Sequence, residues 1–165
     1  MRSRSANRSR TSAESGARAR FSSVVKVAVM MPADIGDAGE FLADVRALEA
    51  AGAEMVGLDG DGEEQRVLMG AIAAVTSRVK LRLADPKSAA ILERLSRGRT
   101  VLELPADEAW VTIAMPADRD SWASVMREQE AAGVTGVTVA WDPRLIDLLR
   151  NPEPEDRSDL LMSTG

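Results

Sequence analysis

Between Lys26 and Asp61 the chain runs KVAVMMPAD (26–34), IGDAGE (35–40), FLADVRALEAAG (41–52) and AEMVGLDGD (53–61). The first run is apolar and short, as a buried strand is. Asp37 with Glu40 three residues on has the form of a capping box. Phe41, Leu42, Val45 and Leu48 then fall on one helical face, and Gly52 ends the helix as a left-handed cap does. Glu54–Leu58 is a second short strand. The order strand, helix, strand is the unit of parallel α/β folds.

The chain repeats this unit. From Val111 come VTIAMPAD (111–118), SWASVMREQEAAG (121–133) and VTGVTVAWD (134–142). Met31-Pro32-Ala33-Asp34 returns as Met115-Pro116-Ala117-Asp118, and Glu49-Ala50-Ala51-Gly52 as Glu130-Ala131-Ala132-Gly133, with the second copy three residues shorter between those landmarks. Trp122 and Met126, one helical turn apart, belong to a core face.

Between the two copies, Val67, Leu68, Ala71, Ile72 and Val75 are spaced as a helix face, with Asp61 in capping position. Val79–Leu83 alternates as a strand with one polar side. Asp85-Pro86 opens a further helix, with Ile91, Leu92 and Leu95 facing inward and Gly98 closing it. Thr100–Leu104 is a fourth strand. The few residues before Trp110 are too short for a helical crossover, so a hairpin or a sharp bend between sheet positions is expected there. Asp142-Pro143 starts a last short helix through Leu149.

The sum is an α/β fold of about six strands and five helices, with two similar βαβ units at its ends. At 165 residues it is an incomplete TIM-barrel-like (β/α) fold, because a full eight-stranded barrel takes about 250. One α/β domain is expected over residues 24–150. Residues 151–165, rich in Pro and acids, read as a loose tail. Residues 1–23 read as a disordered basic tail, with six Arg against one Glu in the first twenty positions. Such a tail suits a solvated extension or an over-extended reading frame, an organellar targeting peptide, or a basic arm.

Composition narrows the chemistry. There is no Cys, no His and no Tyr, so thiolate chemistry and imidazole proton shuttling are excluded. The net charge of −5 and the acidic body make nucleic acid an unexpected partner. No apolar run approaches the ~20 residues of a membrane span, no secretory h-region follows the arginines, and a cytoplasmic protein is expected. Gly-rich phosphate loops and nucleophile elbows are absent.

The loops that follow the strands carry Asp34, Asp37, Asp59, Asp61, Asp85, Asp118 and Asp142. In parallel α/β folds those loops share the rim where sites lie. Most of these acids also stand where a helix N-cap belongs. As catalytic carboxylates, alone or around a divalent cation, the candidates are Asp34, Asp59 and Asp118. Lys80, Arg82, Glu103, Thr112 and Thr138 put polar groups on strand faces. An incomplete barrel with a solvated or partner-covered face accommodates them. The expectation is self-association, or a protein partner, across an open sheet face.

Four stretches carry a family resemblance. Leu48–Gly57 (LEAAGAEMVG) resembles the first helix and second strand of luciferase-like flavin- or deazaflavin-dependent monooxygenases. Ala71–Leu81 (AIAAVTSRVKL) resembles that family's second helix and third strand. Leu95–Arg99 followed by Val101–Leu104 is similar to its turn into strand four. Glu130–Val139 and Pro143–Arg150 look like its last repeat. The resemblance implies an α/β barrel, FMN or a deazaflavin, and oxidation of a small organic substrate. It leaves Arg82, Arg99 and Arg119 as the cofactor-binding candidates. Where the family often places a histidine after strand two, this chain has Asp59-Gly60-Asp61. After strand three it has Ala84-Asp85 in place of a Gly-rich turn, and the middle of the barrel is missing. The expected function is that of a shortened, degenerate relative serving as a binding or assembly module, with a flavin-dependent oxidoreductase as the alternative.

Overall fold

The computed structural model describes residues 25–32, 34–60 and 62–150. The expectations for residues 1–23 and 151–165, and the capping role of Asp61, lie outside these. Six strands alternate with five helices: β1 (Lys26–Met31), α1 (Ala38–Ala51), β2 (Met55–Leu58), α2 (Glu63–Val75), β3 (Lys80–Arg82), α3 (Ala89–Ser96), β4 (Thr100–Val101), β5 (Trp110–Thr112), α4 (Arg119–Ala131), β6 (Gly136–Ala140) and α5 (Arg144–Arg150). A 3₁₀ turn, Pro86–Ser88, leads into α3.

The strands form one sheet in the order β4-β3-β2-β1-β6-β5, and every pairing is parallel. The hairpin expected between β4 and β5 does not form. Those strands lie at opposite edges of the hydrogen-bonded order, and the chain takes the other course, a bend that carries it between sheet positions. A hairpin would need antiparallel neighbours, and all neighbours here are parallel. The fourth strand is also shorter than its pattern suggests, so Glu103 lies beyond it.

From β1 to β4 and from β5 through β6 to β1, each step along the order runs in the same direction. Right-handed crossovers that always step one way put their helices on one face. The core confirms it. Val27, Val29, Met31, Val56, Leu58, Leu81, Val137 and Val139 point to one side of the sheet, and there they meet Phe41, Val45 and Leu48 of α1, Leu68, Met69 and Ile72 of α2, Leu92 of α3, Trp122 of α4, and Leu145 and Leu148 of α5. Alternate residues point to the other side, where no helix packs.

Two details depart from the apolar pattern. Val67 of α2 is 73% exposed, and Ile91 and Leu95 of α3 are 57% and 56% exposed. The buried stripe of α2 is Leu68, Met69, Ile72 and Ala73. α3 lies at the edge of the sheet against a strand of two residues, and there is too little sheet beyond it to cover a full helical face.

The two repeats agree from their caps onward. Asp37 accepts the Glu40 N–H at 2.8 Å and Asp118 accepts the Ser121 N–H at 2.8 Å. Gly52 and Gly133 both turn left-handed, at φ 98° and 75°, and the Asp37-to-Gly52 and Asp118-to-Gly133 spacings are equal. The three residues missing from the second copy are therefore Asp34, Ile35 and Gly36. By function Asp118 corresponds to Asp37 rather than to Asp34.

The helix-free face fills itself by setting glycine beneath large side chains. Gly136 is paired with Trp110, and a Cβ at Gly136 would lie 2.5–2.6 Å from the indole ring. Gly57 is paired with Met30, and a Cβ there would lie 2.7 Å from the thioether sulfur. The indole is rigid and the thioether flexible. Gly136→Ala is therefore expected to destabilise the protein by about 1–3 kcal/mol, clearly more than Gly57→Ala. Urea denaturation of the two variants checks this, and equal losses would contradict the packing.

Candidate functional site

The strand register decides which side chains share the helix-free face. Lys26, Ala28 and Met30 of β1 align with Met55 and Gly57 of β2, Lys80 and Arg82 of β3, Val101 of β4, Gly136 and Thr138 of β6, and Trp110 and Thr112 of β5. The amino ends of the strands form a floor. The Lys26 ammonium donates to the Glu108 carboxylate, and the Trp110 indole N–H donates to the other oxygen of the same carboxylate at 2.9 Å. Lys80 pairs with Glu54 at 2.8 Å. Glu108 comes from the β4–β5 connection, so this contact ties that connection to the first strand. Hydrogen bonds from Lys26 and then Trp110 hold the Glu108 carboxyl below its usual range, while the bond to Glu108 raises Lys26.

At the carboxyl ends the same face opens into a cavity of about 660 Å³. Met30 of β1, Leu58 and Asp59 at the end of β2, and Arg82 of β3 line one side. Leu102 beyond β4, Thr112 of β5 and Thr138 of β6 line the other. Five of the six strands thus contribute, and the residue just past edge strand β4 joins them. The volume falls in the range of small-molecule sites, ~300–1,000 Å³.

Arg82 is the distinctive group in this mouth. Three cations lie on the helix-free face. Lys26 and Lys80 are neutralised by Glu108 and Glu54. Arg82 is half-buried, lines the cavity, and has no ion pair or side-chain hydrogen bond among the described residues. A partly buried guanidinium without a carboxylate keeps its positive potential for whatever enters. Asp59, exposed at the lip, is the other ionisable group of the lining.

The remaining candidates are placed elsewhere. Arg99 spends its whole guanidinium on the fold. Its Nε donates to the Ser96 carbonyl at 2.7 Å, one terminal nitrogen to the Val79 carbonyl at 2.7 Å and the Thr76 hydroxyl at 3.0 Å, and the other to the Ala73 and Thr76 carbonyls at 3.1 and 3.0 Å. It fastens the carboxyl end of α2 to that of α3 and satisfies carbonyls that helix ends leave open. Arg119 pairs with Asp147, joining α4 to α5. Asp118 caps α4, and the N–H and hydroxyl of Ser121 hold its carboxyl below the usual range. Asp34 is exposed in the β1–α1 loop. Of the six candidates, the cavity brings together only Asp59 and Arg82, and among the described residues no three acidic groups are placed to hold a metal ion.

The rim acids behave mainly as caps. Asp37 and Asp118 cap α1 and α4, Asp85 accepts the Lys87 N–H at 2.9 Å, and Asp142 accepts the Arg144 N–H at 2.9 Å while pairing with its guanidinium. Glu49 has a related role that its sequence position does not announce. Burial would raise its carboxyl, but N–H groups of Arg78, Val79 and Ser77 converge on it and hold it below the usual range. Sequence reading missed Met30 and Leu102 as parts of the site. The available signal was register, because Met30 shares a face with the polar Arg82, Thr112 and Thr138.

Two outcomes follow from these assignments. Arg99→Lys keeps the charge but loses the fork, and is expected to cost ~2–3 kcal/mol in denaturation, whereas Arg82→Gln is expected to cost little. The reverse order would contradict the roles given. Glu108 has a lowered folded pKa, so its contribution is complete above about pH 4.5, its ordinary value, and is lost as pH falls through the lower folded value. The melting-temperature gap between the wild type and Glu108→Gln should be constant at neutral pH and shrink on acidification below that point. A gap that widens would contradict the contact. Compared with known protein families and with characterised proteins, the chain matches none.

Proposed function

We propose that this chain is a shortened, TIM-barrel-like relative of the luciferase-like proteins that serves as a binding module, with one small organic ligand held in the mouth at the carboxyl ends of its strands. The observation that carries this reading is the cavity of about 660 Å³ on the helix-free face, lined from β1, β2, β3, β5 and β6 and by Leu102 just beyond edge strand β4. A flat sheet does not bring both of its edges to one cavity. In parallel α/β folds the carboxyl end is where ligands are taken. The floor of Lys26, Glu108 and Trp110 closes the other end.

The lining suits binding better than catalysis. Its ionisable side chains are Asp59 and Arg82, and its other members supply hydroxyls and apolar surface. The resemblance implies FMN or a deazaflavin. The volume and the apolar surface of Met30 and Leu102 match a flavin ring. The anionic tail does not fit: a phosphate dianion, or the longer anionic tail of a deazaflavin, would meet one guanidinium with Asp59 at the same lip. Among the described residues no aromatic side chain lines the mouth for the ring to stack on. These residues do not make a flavin site, which is why the binding module is preferred to the oxidoreductase.

The test is a fluorescence titration of the full chain with oxidised and reduced FMN and with the deazaflavin cofactor. The binding-module reading expects no saturable binding up to near-millimolar concentration. Saturable binding at low micromolar concentration would overturn the preference and favour a flavin- or deazaflavin-dependent oxidoreductase.

A further inference from the structure

Resting on the reading of the mouth as a ligand site, we infer that its ligand is an organic monoanion, a carboxylate or a sulfonate with an apolar body, and that Arg82 is the group that binds the anionic head. Charge on the helix-free face leads to this. Glu54 and Glu108 neutralise Lys80 and Lys26 at the floor. The mouth has no such arrangement. Arg82 stands half-buried on β3, with Gly57 and Val101 as its neighbours in register and Met30 lining the same mouth. Gly57 is its register neighbour, and Met30 occupies the space above that glycine, so the guanidinium has an apolar neighbour where a carboxylate would otherwise complete it.

A partly desolvated cation without a counter-ion is costly until an anion arrives. A guanidinium presents paired donors that match a carboxylate or sulfonate edge, and such charge-assisted bonds are about twice as strong as neutral ones. The Thr112 and Thr138 hydroxyls can complete the head's hydrogen bonds from the opposite wall. Met30 and Leu102 receive the apolar body. Asp59 sets the upper limit on charge. One cation against one lip carboxylate leaves a mouth that accepts a single negative charge and resists a second. The chain as a whole carries −5, so the anion is recruited by the site itself and not by the general field of the protein.

The experiment uses the full chain and two dyes of the same aromatic skeleton, 8-anilinonaphthalene-1-sulfonate and its uncharged analogue N-phenyl-1-naphthylamine, read by dye emission. The sulfonate is expected to bind saturably and to weaken tenfold or more in Arg82→Gln. The uncharged dye should bind equally to both proteins. Arg46→Gln, which removes an exposed arginine of α1, should leave both dyes unchanged, and thermal melts confirm that each variant is folded. Displacement separates charge states: 1-naphthalenesulfonate should displace the dye at lower concentration than 1-naphthyl phosphate at pH 8, and the reverse order would overturn the limit to one charge.

Failure of the inference and failure of the site are distinguishable. If both dyes bind saturably and Arg82→Gln affects neither, the mouth binds ligands but Arg82 is not its anchor, and the inference falls. If neither dye saturates, or if filling the mouth with Thr112→Trp leaves binding intact, the site itself is refuted. If the sulfonate weakens as much in Arg46→Gln as in Arg82→Gln, its binding follows general surface charge and the inference again falls.

Discussion

The architecture depends on one constraint: every crossover steps the same way around the sheet. Right-handed crossovers that step one way gather their helices on one face, and side chains from all five helices share one core with the valine and leucine rows of the strands. The opposite face must then complete itself from strand side chains. It does so in layers. Ion pairs and Trp110 close the amino ends. Ala28 and Met55 lie buried in the middle. The carboxyl ends stay open as the mouth. Glycine at 57 and 136 is the geometric condition for this filling, because in each case the partner strand's large side chain occupies the place a Cβ would take.

The paired repeats show how much variation that constraint tolerates. Both keep the aspartate cap, the cap-to-glycine spacing and the terminal left-handed glycine. They differ in the loop before the helix and in strand register. Ala28 pairs with Met55, but Thr112, its counterpart, pairs with Thr138, two residues further along β6 than the matching position. A slip of two residues keeps every side chain on its own face, whereas a slip of one would exchange core for cavity. The second copy is therefore displaced along its strands without losing its inside and outside. The β4–β5 joint is the other departure. With no helix there, the two edge strands are joined by a short connection whose Glu108 is tied to β1.

Much of this was legible in the sequence, for reasons that are local. A strand-to-helix turn followed by a cap and a terminal glycine is written in consecutive residues, and the repeated Met-Pro-Ala-Asp and Glu-Ala-Ala-Gly runs point to parallel units. Inward and outward sides were less legible at the sheet's edge. Ile91 and Leu95 carry a core-like spacing, yet they are exposed because too little sheet lies beneath α3, and Val67 is exposed because α2 buries Leu68, Met69, Ile72 and Ala73 instead. The hairpin was suggested by a short connection, and only sheet order can say where its ends go. Site residues were least legible. Arg82 and Arg99 look alike in sequence. Arg99 is consumed by the distant carbonyls of residues 73, 76 and 79, and Arg82 is left unpaired among the described residues by the same folding. Nothing local to either arginine encodes that difference.

The claim on which the rest stands is that the edge strands β4 and β5 face one another across a shared mouth. The chain contains no cysteine, so spin labels on Glu103→Cys and Ala114→Cys report one defined distance by pulsed electron resonance. In a flat six-stranded sheet the edge strands would lie about 24 Å apart, five strand spacings. The account predicts a label separation well below that. A separation at or above it would mean an open, flat sheet, with no cavity shared between its edges and no place for the ligand proposed.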